Sequence, residues 1–286
     1  MIEYMQPAAE QTAQCRALFE TCFKEDRAAL DFYFNGFLTP ELCYTAQENG
    51  RIAAALYLLP TQVAAGGKAC QAHYLFGAAT LAPYRNRGIM QGLIGYALDC
   101  AKRRGDCFSV LLPAEKSLYG YYARLGYHKA FQLRFAAFSQ AQACALTARR
   151  SKVINCSFDN IAQLRFNILI DQEGSLLFGA KHIELACKIA RVYGGGVFTT
   201  ESGYMLYSVQ DKEIYVSECI CAKEDFGALF VTFAQHMQAG RYLLRLPSFI
   251  KAGGMLRHFG MVKPLQSEER EFYTHCPQAY LGLTLD

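Results

Sequence analysis

One stretch of the sequence brings together residue types whose spacing could do chemistry. Arg85-Asn86-Arg87-Gly88-Ile89-Met90 follows a strand-like run that ends at Leu81 and breaks at Ala82-Pro83, and it opens an amphipathic helical pattern. The start of a helix offers backbone N–H groups without acceptors and the positive end of the dipole, so it suits an anion. Gly88 would let backbone approach a phosphate closely, while Arg85 and Arg87 add charge and forked donors. The stretch reads as a pyrophosphate cradle, although a plain strand-to-helix junction with solvated arginines has the same local pattern. It lacks the G-x-x-x-x-G-K-S/T lysine loop, and no G-x-G-x-x-G follows a strand, which disfavours nucleotide hydrolysis and a dinucleotide site.

The elements that must position this stretch are legible from periodicity. Gln11 to Phe23 puts Cys15, Leu18, Phe19, Cys22 and Phe23 on one helical face, and Ala28 to Leu38 reads as an aromatic-rich second helix. Strand-like runs follow over 42–47, 51–65 and 69–81, with Glu48-Asn49-Gly50 and Gly66-Gly67 as turns. Ile89, Met90, Leu93, Ile94, Ala97, Leu98 and Ala101 recur at helical spacing up to Lys102-Arg103-Arg104-Gly105. A buried strand over 107–112, a short helix over 117–125 and a strand over 127–138 complete the first half. Residues 140–151 read as a connection. The second half repeats the plan more weakly: strands over 197–209 and 212–221, a helix over 225–238 and a strand over 242–246. A helix start at Gly253-Gly254-Met255-Leu256 and a final strand over 279–285 end it.

At roughly 150 residues per domain, a chain of 286 residues predicts two domains. Apolar residues make up 52% and charged residues 19%, enough for ordinary buried cores. The net charge of +4 is too mild to point to nucleic acid, and the basic residues are not interleaved with aromatics along one patch. No apolar run approaches the ~20 residues that span a bilayer, and the N-terminal stretch lacks a basic start followed by an apolar run. No membrane or nucleic-acid partner is therefore expected, and a cytoplasmic location is. The 12 cysteines are scattered without a C-x-x-C, so they are expected to be mostly reduced and buried, with no metal bound.

A second stretch changes the reading of the first. Tyr121-Tyr122-Ala123-Arg124-Leu125-Gly126-Tyr127 lies downstream of the loop, in the order strand, loop, helix, strand, short helix, Gly-Tyr, strand. Together the two stretches resemble the Gcn5-related N-acetyltransferase (GNAT) superfamily, whose loop reads Gln/Arg-x-x-Gly-x-Gly/Ala and whose later helix reads Phe/Tyr-Tyr-x-x-x-Gly-Phe/Tyr. Met90 departs from the loop pattern, and because such a loop binds through backbone N–H groups, a side chain facing the core is tolerated. That departure, the length and the repeated plan resemble the enhanced-intracellular-survival branch. That branch joins an active GNAT domain to a degenerate one and usually adds a sterol-carrier-like domain, for which 286 residues leave no room. The resemblance implies an α+β protein of tandem GNAT folds, each a mixed, mostly antiparallel sheet flanked by helices. Residues 1–140 would be the catalytic domain that binds acetyl-CoA, and residues 152–286 a degenerate GNAT-like domain without cofactor, with acidic Glu224-Asp225 where the arginines would stand.

The same resemblance implies a mechanism. Acetyl-CoA, the co-substrate, would lay its pantetheine along Ala79, Thr80 and Leu81 like an added strand and its pyrophosphate on Arg85, Asn86, Arg87, Gly88, Ile89 and Met90. Ser117, at the start of the short helix, is placed with this cofactor-binding set, while Lys102-Arg103-Arg104 would face the 3′-phosphate or only satisfy a helix C-terminus. A primary amine would attack the thioester directly, and Tyr122 matches the family tyrosine that returns a proton to the thiolate. The base stays open among Glu115, Glu41, Asp31, His73, the chain's own terminal carboxylate at Asp286, and water. Phe32, Tyr33 and Glu115 are placed at the acceptor, with core packing as the competing account of the two aromatics. The expected function is an N-acetyltransferase acting on a small-molecule or peptide amine; the alternative is a non-catalytic acyl-CoA sensor or regulatory module. Assembly into a homo-oligomer is left open.

Overall fold

The computed structural model describes residues 1–146, 148–266 and 272–285. They form two compact units. The first contains β1 (Ile2–Met5), α1 (Thr12–Cys22), α2 (Arg27–Phe34), β2 (Cys43–Glu48), most of β3 (Arg51–Ala65) and β4 (Lys68–Thr80), α3 (Ile89–Arg104), β5 (Phe108–Leu111), α4 (Leu118–Arg124) and the first residue of the short β6 (His128–Lys129). The second contains β7 (Gln132–Ser139), α5 (Gln140–Ala145), α6 (Phe158–Leu169), α7 (Ala180–Val192), β8 (Gly196–Thr200), β9 (Gly203–Gln210), β10 (Glu213–Cys221), α8 (Phe226–His236), β11 (Arg241–Pro247) and β12 (Met255–His258). The last strand, β13 (Met261–Pro264), returns to the first unit.

Two mixed sheets result, of seven strands in the order β1-β2-β3-β4-β5-β13-β6 and six in the order β12-β7-β11-β10-β9-β8. Most neighbours are antiparallel; β4 with β5 and β10 with β11 are parallel. The units therefore do not follow the expected contiguous division at 1–140 and 152–286. The run expected as one strand over 127–138 breaks around the buried Phe131, and β7 joins the second sheet beside β11 from Arg241↔Ser139 to Pro247↔Leu133. Its place beside β5 is taken by β13, from Met261↔Leu111 to Pro264↔Phe108. The hairpin tip formed by residues 63–69 likewise groups with the second unit, where Val63 bridges Leu176.

Other expectations change in the second unit. Gly253-Gly254 turns the chain into the strand β12 rather than starting a helix, and the run over 197–209 contains a turn that makes the hairpin β8–β9. The connection over 140–151 contains α5, whose Ser139 and Gln142 cap each other. Residues 279–285 are largely buried but carry no strand assignment.

Each unit has its own apolar core. In the first, Leu93, Ile94, Ala97, Leu98 and Ala101 of α3 pack with Ala46, Ala54, Leu56, Leu58 and Leu75 of the sheet. Burying side chains of the Leu or Ile kind stabilises by about 1.5–3 kcal/mol each, so this face holds α3 firmly on the sheet. In the second, Leu229, Phe230 and Phe233 of α8 pack with Met205, Val216, Cys219, Tyr242 and Leu244. Among the described residues, no helix is long and apolar enough to cross a membrane.

Candidate active site

The site begins where two parallel strands part. β4 and β5 pair at Ala72↔Phe108, His73↔Ser109 and Tyr74↔Val110. β5 then ends at Leu111, while β4 runs on to Thr80. Between these points Gly77 takes φ +62°, the left-handed region that favours glycine. A Cβ there would lie 2.8 Å from the Phe19 ring and 3.4 Å from the Tyr57 ring. The kink at Gly77 thus needs both the backbone freedom and the missing side chain. Beyond it, Ala78, Ala79 and Thr80 line a cleft of about 680 Å³.

The loop that leaves β4 closes one end of the cleft. Arg85 donates from Nε to the Thr80 carbonyl at 2.9 Å, which ties the loop to the strand. Asn86 and Gly88 both take left-handed φ, +61° and +73°, so the chain turns sharply into α3. Asn tolerates this region better than other side chains, and Gly has no penalty there. Gly92 N–H is bonded to the Gly88 carbonyl at 3.0 Å. The N–H groups of Ile89, Met90 and Gln91 precede it and have no acceptor within the helix. Gly88, Ile89, Met90 and Gln91 all line the cleft. Met90 also packs against the core, as expected for the departure at that position.

Tyr122 lies on α4 at the same cleft. Its residue is 8% exposed, and its ring meets Tyr121 and Tyr127 edge-on at centroid distances of 5.2 and 5.8 Å. Burial, then the neighbouring Tyr121, pushes its pKa up to about 12. The phenol therefore holds its proton at neutral pH and stays available at the cleft as a hydrogen-bond and proton donor. The cleft thus combines an open helix N-terminus, a strand end that β5 no longer pairs and a protonated phenol. That arrangement can hold a phosphate-bearing, amide-bearing thioester and protonate its leaving sulfur.

Residues 3–130 match the model of the acetyltransferase (GNAT) domain family. This segment is a GNAT acetyltransferase domain. An uncharacterized N-acetyltransferase of Streptomyces avermitilis is 32% identical over 89 residues, which are 31% of this chain and 21% of that protein. The chain thus spans about a fifth of the length of the curated relative it matches. Solved structures share the fold over nearly the whole chain. A GCN5-related N-acetyltransferase from Kribbella flavida covers 93% of this chain and 72% of its own, with a TM-score of 0.73 at 17% identity. One from Anabaena variabilis covers 93% and 73%, with a TM-score of 0.74 at 15% identity. Eis1 from Mycobacterium abscessus covers 94% and 74%, with a TM-score of 0.71 at 14% identity.

In this GNAT domain the cleft brings together Ala79, Thr80, Arg85, Asn86, Gly88, Ile89, Met90, Glu115 and Tyr122 from the sequence-derived set. Other members lie elsewhere. Leu81 donates its N–H to the Ala53 carbonyl at 3.0 Å. The Arg87 guanidinium pairs with Glu48 at 3.2 Å and lies over the ring of Tyr84, a lining residue, without itself lining the cleft. The Ser117 hydroxyl donates to Glu115 Oε2 at 3.2 Å. Tyr33 is 1% exposed among Phe19 and Phe76, so it is core rather than acceptor lining. Phe32 is partly exposed on α2 and does not line the cleft.

The base candidates separate in the same way. Asp31 is paired with Arg16 at 2.6 Å outside the cleft, and Glu41 is exposed. His73 is fully buried between Asp106 and Ser109. Glu115 is exposed on the cleft rim. Asp286 lies outside the described residues. The sequence reading missed Tyr84, Gln91, Leu118 and Tyr121, which also line the cleft. It missed Gly77 too, although an isolated glycine inside a strand pattern is the usual sign of a kink. No group of three or more metal-ligating side chains suited to a metal ion occurs among the described residues.

Proposed function

We propose that the GNAT domain moves an acetyl group from acetyl-CoA to a primary amine by direct attack. The observation that carries this reading is the single cleft in which the start of α3, the free end of β4 and Tyr122 meet. The residues fit coenzyme A on three counts. The α3 N-terminus with Gly88 and Arg85 suits a pyrophosphate. The Ala78–Thr80 backbone, left by β5, suits the amides of a pantetheine arm as an added strand would. The buried, protonated Tyr122 suits a sulfur leaving group.

Acetyl-CoA supplies an acyl carbon activated as a thioester. The amine nitrogen bonds to that carbon and the carbon–sulfur bond breaks. The sulfur takes the Tyr122 proton, and the proton lost from nitrogen passes to Glu115 or to water. Arg85 and the N–H groups of 88–91 hold the donor in register, which supplies proximity and orientation.

Calorimetric titration with acetyl-CoA tests the first step. Micromolar binding is expected for the wild type, with a weakening of about tenfold or more in Arg85→Ala from loss of a charge-assisted contact. Tyr122→Phe is expected to keep that binding while kcat for amine acetylation falls roughly a hundredfold, the scale of lost general-acid catalysis. A chain that binds no acyl-CoA sinks the reading. Binding with no transfer to any amine in a broad panel turns it into that of an acyl-CoA sensor.

A further inference from the structure

Four side chains of the GNAT domain form a hydrogen-bonded line through its core. His73 Nδ1 lies 2.6 Å from Asp106 Oδ2, and His73 Nε2 lies 2.7 Å from Ser109 Oγ. Ser109 Oγ lies 2.6 Å from the Tyr127 hydroxyl. Asp106, His73 and Ser109 are 0% exposed and Tyr127 is 2% exposed. The directions of these bonds follow from the end that can only accept. Burial raises the Asp106 pKa, but the hydrogen bond to His73 and then that to Arg104, whose Nη2 lies at 2.7 Å, bring it down to about 2, so Asp106 is a carboxylate; Gln71 Nε2 also donates to it at 3.0 Å. A carboxylate has no proton to give, so His73 Nδ1 carries the hydrogen. Burial lowers the His73 pKa and outweighs the opposing pull of Asp106, with a smaller lowering from Arg104, so the ring is neutral at pH 7 and Nε2 accepts. Ser109 then donates to His73, and its oxygen accepts from Tyr127. Every donor points toward Asp106, and such bonds reinforce one another in a low-dielectric core.

The line touches two places that matter for the cleft. His73 and Ser109 face each other one step before Tyr74↔Val110, the last register pair before β4 and β5 part. The Tyr127 ring packs edge-on against the Tyr122 ring at 5.8 Å, with an interplanar angle of 73°. None of the four residues lines the cleft. We propose that Asp106, His73, Ser109 and Tyr127 are positioning residues that fix the Tyr122 ring at the cleft and pin β4 to β5 where the gap opens. This deepens the acetyl-transfer reading and rests on Tyr122 serving that transfer. A polar cluster that only stabilised the fold would leave the Tyr122 ring where it is when the line is cut.

Fluorine NMR of protein labelled with 3-fluorotyrosine reads the Tyr122 position directly. Tyr122→Phe and Tyr127→Phe assign the two resonances by their disappearance. Tyr127→Phe keeps the packed ring and removes only the hydroxyl; Ser109→Ala cuts the line in the middle. In both variants the Tyr122 resonance is expected to shift and broaden. The kcat for amine acetylation is expected to fall roughly tenfold to a hundredfold, the cost of a small misplacement, while the KM for acetyl-CoA stays within about twofold. A Tyr122 resonance unmoved in both variants overturns the proposal, whatever the activity. A shifted resonance in a protein that binds no acetyl-CoA upholds the positioning and removes the acetyl-transfer reading instead. The wild type offers a measurement that needs no variant to fold. Nitrogen NMR of His73 should show a protonated Nδ1 and a bare Nε2, and the opposite tautomer or an imidazolium overturns the line.

Discussion

The two units build the same junction and finish it differently. In the GNAT domain, β4 pairs in parallel with β5, kinks at Gly77, and leads through Arg85–Gly88 into α3. In the second unit, β10 pairs in parallel with β11 from Glu213↔Arg241 to Val216↔Leu244. Its register with β9 slips between Val216 and Glu218, and the chain then passes Ala222-Lys223-Glu224-Asp225 into α8. The helix start carries arginines and a left-handed glycine in one unit and acidic residues in the other. Glu224 and Asp225 occupy the positive end of the dipole themselves and would repel a phosphate. At the kink, Gly77 contributes no side chain, whereas the second unit places Glu218 there, fully buried with Arg165 at 3.2 Å. The Tyr204 and Tyr280 hydroxyls also donate to Glu218, and residues 279–281 are buried in the same unit. Opening a strand gap for a ligand is thus decided by a few side chains on a shared backbone plan. This contrast supports the proposal that the second unit holds no acyl-CoA.

The largest expected effect comes from breaking the closed junction. Arg165→Met leaves the Glu218 carboxylate buried without its counter-charge, which costs about 3–5 kcal/mol. Arg165 also bonds the Leu176 carbonyl and stacks over Phe178, so that loss adds to the effect. Denaturant unfolding of the variant against wild type measures it. A loss below about 1 kcal/mol, the scale of an exposed ion pair, would mean that the charge pair does not close the junction.

A smaller effect is expected at the open junction. Gly88→Ala forces a side chain into the left-handed region, at about 1 kcal/mol, and places a methyl group where a phosphate would approach. Acetyl-CoA affinity should fall by roughly tenfold, equivalent to about 1.4 kcal/mol, with little change in thermal stability beyond the strain. Unchanged affinity by calorimetry would remove the backbone cradle from the account and leave Arg85 to carry the phosphate alone.

The open junction was legible in the sequence because its parts are local. Residues 85–90 lie between a strand run and a helical pattern, and β3 spans the run read for it. Tyr122 stands on the short helix that its neighbours predict. What was not legible depends on distant partners. An alternating pattern says which face of a strand is buried but not which strand lies beside it, so β7 and β13 could exchange sheets unseen. Tyr33 has the helical spacing of both a core residue and a pocket residue, and only the rings of Phe19 and Phe76 decide for the core. His73 read as a lone histidine because Asp106 and Ser109 are 33 and 36 residues away. Asp106 follows the helix-ending Gly105 and was not singled out in the sequence; its burial appears only when β4 and β5 are paired.

The smallest expected effect separates charge from shape in the closed junction. Glu224→Gln with Asp225→Asn removes both anions from the start of α8. Each favourable contact with the helix dipole is worth about 0.3–1 kcal/mol, so stability should fall only slightly. If charge alone kept acyl-CoA out, the variant would gain a second site, and calorimetric stoichiometry would rise from one acetyl-CoA per chain toward two. We expect it to stay at one, because the buried Glu218–Arg165 pair still sits where β10 slips register. Stoichiometry of one in this variant, beside weakened binding in Gly88→Ala, would show that a usable site needs both an unblocked helix start and an unblocked kink. A stoichiometry of two would show instead that the buried pair is a matter of stability, and that two carboxylates separate a binding unit from a silent one.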